Sequence, residues 1–337
     1  MLIDVHTHVT PPRFPANADP AAAVRWPCMH CTSPGKATLL IGETPFRQLD
    51  ARSWDAERRL ADMVEAGIAM QVLSPMPELL SYWLPVAAAE LVCDTINAHI
   101  AGIVARHPRH FRGLGAVPLQ DPARAAALLP GLRARFGLSG VEIGSNINGM
   151  ALGDPALEPF YAAAEREGLA IFVHALHPVA KTAAMPAGYA AVVLFPVEIA
   201  MAAASILLAG VLERYPRLRI GLSHGAGALP AMLGRLDQGW LRSDGLGSGL
   251  TTLPSVTARS LFMDSNVYDA RQLAWLADRV APARVFAGSD YPYRIMESDL
   301  AGLIGRTRLG ARHRAEISHR AALRFLGEPP VPIADAA

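Results

Sequence analysis

Lysine is almost missing from this chain: Lys36 and Lys181 are the only two among 31 basic residues. Positive charge is therefore carried by arginine, and 30 acidic residues bring the formal net charge to +1. No long basic run occurs. A chain so balanced has no electrostatic footprint for nucleic acid or an anionic membrane, and neither is expected as a partner. Cysteine is scarce as well. Cys28, Cys31 and Cys93 are too few for a disulfide framework and suit a reducing compartment. The opening residues, MLIDVHTH, lack the basic start and apolar core of a secretory signal, so a cytoplasmic location is expected. Also lacking are GxGxxG and GxxxxGK[ST], the glycine turns that hold phosphate in open nucleotide-binding sheets. One apolar run, Ala190 to Leu212, is long enough to cross a bilayer, but Pro196 and Glu198 interrupt it. A carboxylate at mid-membrane is costly, so the run reads as a loop followed by a buried outer helix, with a subunit contact as a further use.

What the chain has in quantity is apolar surface. Apolar residues make up 51% and charged ones 18%, enough for a large buried core. Short β-branched runs alternate with amphipathic stretches from end to end. The candidate strands are Leu2–His6, Ala69–Ser74, Phe111–Val117, Gly140–Gly144, Ala170–His174, Leu218–His224, Leu261–Asn266 and Arg284–Gly288. Helical patterns such as Asp55–Ala66, Ala87–Arg106, Pro122–Arg135, Pro155–Glu167 and Ala270–Val280 lie between them, several opening on Asp or Pro and stopping near Gly. Such alternation means parallel strands covered by helices, and eight units fit a closed (β/α)8 barrel of the TIM type better than an open sheet. Residues 1–327 are read as one barrel domain and 328–337 as a tail. Residues 11–49 are too long for an ordinary strand-to-helix loop and carry a possible strand at Thr38–Ile41. They form an insertion expected to cover the barrel's C-terminal face.

The chemistry gathers at strand ends. In Asp4-Val5-His6-Thr7-His8, alternate side chains share one face, so His6 and His8 point inward together and can chelate one divalent metal. His174 ends the fifth candidate strand, His224 the sixth and Asp290 the eighth. Groups at the C-terminal ends of different barrel strands converge above the axis, where such barrels build active sites. A set of imidazoles and a carboxylate suits zinc, with manganese or iron also accepting it. Asp4 shares the inward face but sits deeper, where at most it orients a ligand. Cys28-Met29-His30-Cys31 has no second pair to complete a zinc knuckle and is read as structural, with His30 at the pocket edge.

HxH on the first strand followed by His, His and Asp resembles the amidohydrolase superfamily. The resemblance narrows to the family of aminocarboxymuconate-semialdehyde decarboxylase. It spans nearly the whole chain, through Phe46-Arg47, Ser53-Trp54-Asp55, Ser81-Tyr82-Trp83, Arg112-Gly113-Leu114-Gly115, Tyr161 to Arg166, His224-Gly225, Gly234-Arg235 and Asp290-Tyr291-Pro292. It implies a metal-dependent, non-oxidative decarboxylase of a small unsaturated or aromatic carboxylic acid. One divalent metal, zinc by preference and manganese otherwise, would sit on His6, His8, His174 and Asp290. His224 would move a proton to or from water or substrate, with Asp290 assisting. Arg47 and Arg235 would bind the substrate's carboxylates, Arg235 from the neighbouring subunit of a homodimer.

Two stretches depart from that family. Gly188, Tyr189, Ala190 and Ala191 replace large aromatic residues after His174, and His177 replaces an acid, so the pocket is expected to be reshaped. Glu142 on the fourth strand replaces an uncharged polar residue. It is read as a buried hydrogen-bonding group, with a second metal as the alternative. The competing activity is hydrolysis or hydration of a related carboxylate, since the same metal site could direct water at carbon.

Overall fold

Eight strands run parallel in one sheet, and hydrogen bonds close the sheet on itself. The structure, a computed structural model, describes residues 1–17, 25–179, 186, 188–243 and 245–329. Lys181 and the tail beyond Pro329 lie outside the described residues. The barrel strands are β1 (Ile3–Val9), β5 (Met70–Pro75), β6 (Phe111–Gly115), β7 (Gly140–Gly144), β10 (Ala170–His174), β11 (Arg219–Leu222), β12 (Phe262–Asp264) and β13 (Val285–Phe286). They neighbour one another in that order. Between the last and the first, Val5 donates its N–H to the Ala287 carbonyl, Asp290 to His6, and His8 to Tyr291, each at 2.8 Å. These bonds close the (β/α)8 barrel.

The expected strands all fall on these eight: β7 and β10 match, four are shortened at their ends, β5 is shifted by one residue, and β1 runs on past His6 to Val9. Helix starts follow the aspartates. Asp55, Asp121, Asp269 and Asp299 each accept a backbone N–H of the first turn that follows. The apolar run needs correcting at its start. It is helical from Ala190, through a π turn at Ala190–Leu194 into the helix Phe195–Leu208. Ile199, Ala203 and Ile206 are buried, while Val192, Val197 and Met201 face out. Among the described residues two helices, Val86–Arg106 and Ala190–Leu208, are long and apolar enough to cross a membrane by length and composition. Both carry faces buried in this fold. Glu198, which interrupts the run, is buried and accepts hydrogen bonds from Val179 N at 2.7 Å and Asn146 Nδ2 at 3.3 Å, tying the helix to the loops beside it.

The insertion holds more structure than its sequence suggested. It forms an antiparallel sheet of β2 (Pro27–Ser33), β3 (Lys36–Ile41) and β4 (Thr44–Asp50). A two-residue pair, β8 (Asn146–Ile147) with β9 (Met150–Ala151), follows β7. Inside the barrel, Phe172, Phe262 and Phe286 pack with Phe325 of the last helix one layer below the strand ends. His6 rests on Phe172, with ring centroids 5.1 Å apart. This dry floor supports the polar layer above it.

Candidate metal centre and active site

The polar layer starts at a fault in β1. The pairing of β1 with β5 shifts register between Asp4 and Thr7, so His6 sits in a bulge, the usual device for re-aiming a side chain next to a site. Three histidines are then locked from behind. His6 Nδ1 donates to Asp264 Oδ2 at 2.6 Å, His8 Nδ1 to the Pro75 carbonyl at 2.9 Å, and His174 Nδ1 to the Ala175 carbonyl at 2.9 Å. An acceptor at each Nδ1 places the proton there and leaves each Nε2 with a free lone pair.

Those lone pairs meet. His6 Nε2 and His8 Nε2 stand 3.1 Å apart. Asp290 Oδ1 lies 3.3 Å from His6 Nε2, 3.2 Å from His8 Nε2 and 4.0 Å from His174 Nε2. Two nitrogen lone pairs and a carboxylate oxygen facing one another repel unless something positive stands between them. His174 Nε2 and Asp290 Oδ1 are moreover buried without a hydrogen-bond partner among the described residues. Zinc with bonds of roughly 2.0–2.1 Å sets neighbouring tetrahedral ligand atoms about 3.4 Å apart, close to the separations found here. The four residues therefore fit a divalent cation.

The electrostatics agree. Burial opposes a charge on His6, but Asp290 and Asp264 overcome it and push its pKa up to about 10. The pocket draws in a positive charge. Burial holds His8 and His224 below the usual histidine range, and His174 well below it. Burial raises Asp290, yet His6 and His8 keep it well below the usual carboxylate range.

His224 belongs to the same cluster. One ligand atom each of His6, His174, His224 and Asp290 lie within 4.8 Å of one another. Its surroundings differ from those of the other three. Ser223 Oγ is 3.3 Å from Nδ1, the ring stacks near Phe195, and the side chain forms part of a cavity wall. Its backbone is held in the left-handed region (φ 56°), as is that of Asp290 (φ 70°). Non-glycine residues adopt that conformation where surrounding structure over-determines it, commonly at working sites.

The cavity, of about 510 Å³, opens above the histidines. Its wall includes Arg47, Glu78, Ala191, Phe195, Tyr268, Tyr293 and Arg294. Arg47 reaches it from β4, so the insertion contributes to the site. Its Nη2 donates to Glu78 Oε1 at 2.7 Å, and its guanidinium lies 4.5 Å above the Tyr293 ring. Tyr293 in turn stacks on His8. Arg235 is elsewhere, exposed on the helix Leu229–Arg242 and absent from the cavity wall. Ala191 lines the wall where the sequence lacks a large aromatic residue.

Other candidates take lesser places. Glu142 Oε2 is 3.5 Å from His8 Nδ1, on the far side of that ring from Asp290. Burial pushes its carboxyl well above the usual carboxylate range, and it stands behind a ligand. Asp4 accepts from Ser289 N at 3.0 Å and from Ser289 Oγ at 2.6 Å, pinning the turn that presents Asp290. His30 is exposed on β2 opposite Thr38 and does not border the cavity. Asp264, Glu78 and Tyr293 were not singled out from the sequence. Of these only Asp264 had a signal, an acid near the end of a predicted strand.

A sequence profile of the amidohydrolase family matches residues 3–327. The 2-amino-3-carboxymuconate-6-semialdehyde decarboxylase of Dictyostelium discoideum is 30% identical, over 98% of this chain and 92% of that protein. Among solved structures, 5-carboxyvanillate decarboxylase from Sphingomonas paucimobilis superposes with a TM-score of 0.78 at 24% identity, covering 97% of this chain and 99% of its own. A dihydroxybenzoic acid decarboxylase from Polaromonas, with manganese and 2-nitroresorcinol bound, gives 0.72 at 21% identity over 82% and 87%.

Proposed function

The chain belongs to the amidohydrolase family, among the decarboxylases related to the 2-amino-3-carboxymuconate-6-semialdehyde enzyme, and on that footing we propose that it releases CO2, without oxidation, from a small unsaturated or aromatic carboxylic acid. One observation carries the reading: three imidazole lone pairs and a carboxylate oxygen converge at the base of a cavity that also holds a neutral histidine and an arginine. His6, His8, His174 and Asp290 would hold one divalent ion. Zinc suits the donor set, and the manganese in the Polaromonas relative supports the wider class. A cation there supplies Lewis acidity, stabilising negative charge on an oxygen ligand.

The rest is work for the chain's own side chains. Loss of CO2 leaves the carbon–carbon bonding pair on the substrate's carbon, and a proton must take the place of the carboxylate. His224 is placed to carry it. Burial keeps its ring neutral at rest, so it can accept a proton, and its position on the wall lets it deliver that proton to carbon. Protonation first and departure of CO2 second balance the change, with the electron pair returning to the unsaturated framework. Phe195 and Tyr293 offer flat apolar walls for a planar acid. Arg47 offers its remaining N–H groups to substrate oxygens.

Arg235 is too exposed to serve its own cavity, and we assign it to the neighbouring site of a homodimer. The outward apolar side chains Leu241, on its own helix, and Val197 and Met201, on the helix packed against it, support that arrangement.

Metal analysis of the purified protein combined with CO2 release tests the reading, using 2-amino-3-carboxymuconate semialdehyde and a set of hydroxybenzoates. One divalent ion per chain is expected, with turnover lost in His224→Ala at unchanged metal content. Metal without CO2 from any acid would shift the assignment to hydrolysis or hydration. A purified protein with no tight divalent site would end it.

A further inference from the structure

We propose that Glu78 fixes the charge of the acceptable substrate, making the pocket selective for an acid with a single carboxylate, the one that leaves, and a neutral oxygen substituent at its Arg47 end. This rests on the decarboxylase reading and sharpens it. An arginine in a pocket wall is ordinarily a receptor for a carboxylate, because its planar fork matches two oxygens. Here the fork is already engaged. Glu78 Oε1 holds Nη2 at 2.7 Å, with the two side chains 11% and 31% exposed respectively. Glu78 pairs with no other cation among the described residues, so its whole charge is set against Arg47.

A second substrate carboxylate at this end would meet an ion pair whose charge is already balanced. It would either lie beside the buried Glu78 carboxylate, where like charges disfavour each other, or displace Glu78 and leave it buried and unpaired. A hydroxyl, methoxyl or carbonyl oxygen meets neither penalty and can still accept from the unused N–H groups of Arg47. Tyr293, under the guanidinium at 4.5 Å, keeps that fork in place and restricts its swing toward a larger anion. Arg294 is also on the wall and has no ion-pair partner among the described residues. It is exposed at the mouth, however, where water and salt screen it. It draws acids in without sorting them.

Matched acids test this: a dihydroxybenzoate and the same ring with a second carboxylate, compared by kcat/KM for CO2 release. Alongside, calorimetry gives Kd for non-reacting analogues carrying nitro in place of the departing carboxylate, with and without the other carboxylate. The native protein should favour the single acid by about tenfold or more in both measurements. Glu78→Gln should raise the diacid relative to the single acid by at least about tenfold, because Arg47 is then uncompensated. Arg47→Gln leaves the Glu78 charge exposed to the ligand and should deepen discrimination against the diacid, so the test survives if Glu78→Gln fails to fold. Native protein that prefers the diacid overturns the proposal. So does Glu78→Gln lowering both acids equally, which is what a merely structural residue would do. If the analogues keep the expected ratio and no acid yields CO2, the selectivity stands and the decarboxylase reading falls.

Discussion

The carboxylate of Asp264 accepts four hydrogen bonds: from His6 Nδ1 at 2.6 Å, His224 N at 3.0 Å, Gly225 N at 2.6 Å and Asn266 N at 3.1 Å. One side chain therefore aims a metal ligand and the proton carrier together. Partners of this kind behind a ligating histidine are commonly worth about 10–100-fold in metal affinity. Asp264→Asn offers one oxygen in place of two and should weaken divalent-ion binding by about that factor, read by competition with a chelator. Its far-ultraviolet spectrum should stay native; unchanged metal affinity would show that His6 is aimed by something else. The five site residues could be read because His6 and His8 alternate near the end of β1, and His174, His224 and Asp290 lie at or just beyond the ends of strand-like runs. Asp264 obeys the same rule, but its strand ends in Asp264-Ser265-Asn266, a polar run in which sequence cannot tell which side chain faces inward. Glu78 had no such cue. It sits in a 3-10 turn, Pro77–Leu80, where neither strand nor helix periodicity applies.

At the scale of elements, the site depends on how the loop after β11 meets the helix Phe195–Leu208. Gly227 makes that meeting possible. Its φ is +58°, and a Cβ built on it would lie 1.9 Å from the Pro196 carbonyl oxygen. Ala228 then donates to that carbonyl at 3.3 Å. The contact joins the loop bearing His224 to the helix that supplies Phe195 and Pro196 to the cavity wall. Gly227→Ala adds left-handed strain and an overlap that backbone atoms cannot relieve locally, together about 2–4 kcal/mol. The variant should melt several degrees lower, and its KM should rise, since the wall shifts with the loop. A native melting temperature with native KM would mean the two elements can part freely. Much of this level was legible in advance, because aspartate caps and β-branched runs act locally. The three-stranded insertion was less so. Only Thr38–Ile41 has a strand-like sequence, while β2 and β4 carry Pro, Gln and Arg and are strands because β3 pairs with both.

For the whole molecule, barrel closure was implied by the count of eight strands, but two outward features follow from no local pattern: an apolar helix side and an arginine placed outside the cavity. The helices Ala190–Leu208 and Leu229–Arg242 adjoin each other. Val192 is 64% exposed, Met201 49% and Leu241 56%, so the helix pair that carries Arg235 also presents large apolar side chains outward, where a free face is usually charged. A twofold partner seated there would bury it and exchange arginines between the two sites. Mixing two inactive variants distinguishes this from a monomer with a surface arginine. Arg235→Ala retains its own His224 but cannot supply its partner; His224→Ala cannot carry the proton but can still lend Arg235. Coexpressed in equal amounts, half the dimers are hybrids with one complete site each, so activity should return to about a quarter of the native value. If each arginine serves its own chain, no combination of the two variants assembles a complete site, and the coexpressed mixture stays as inactive as its parents.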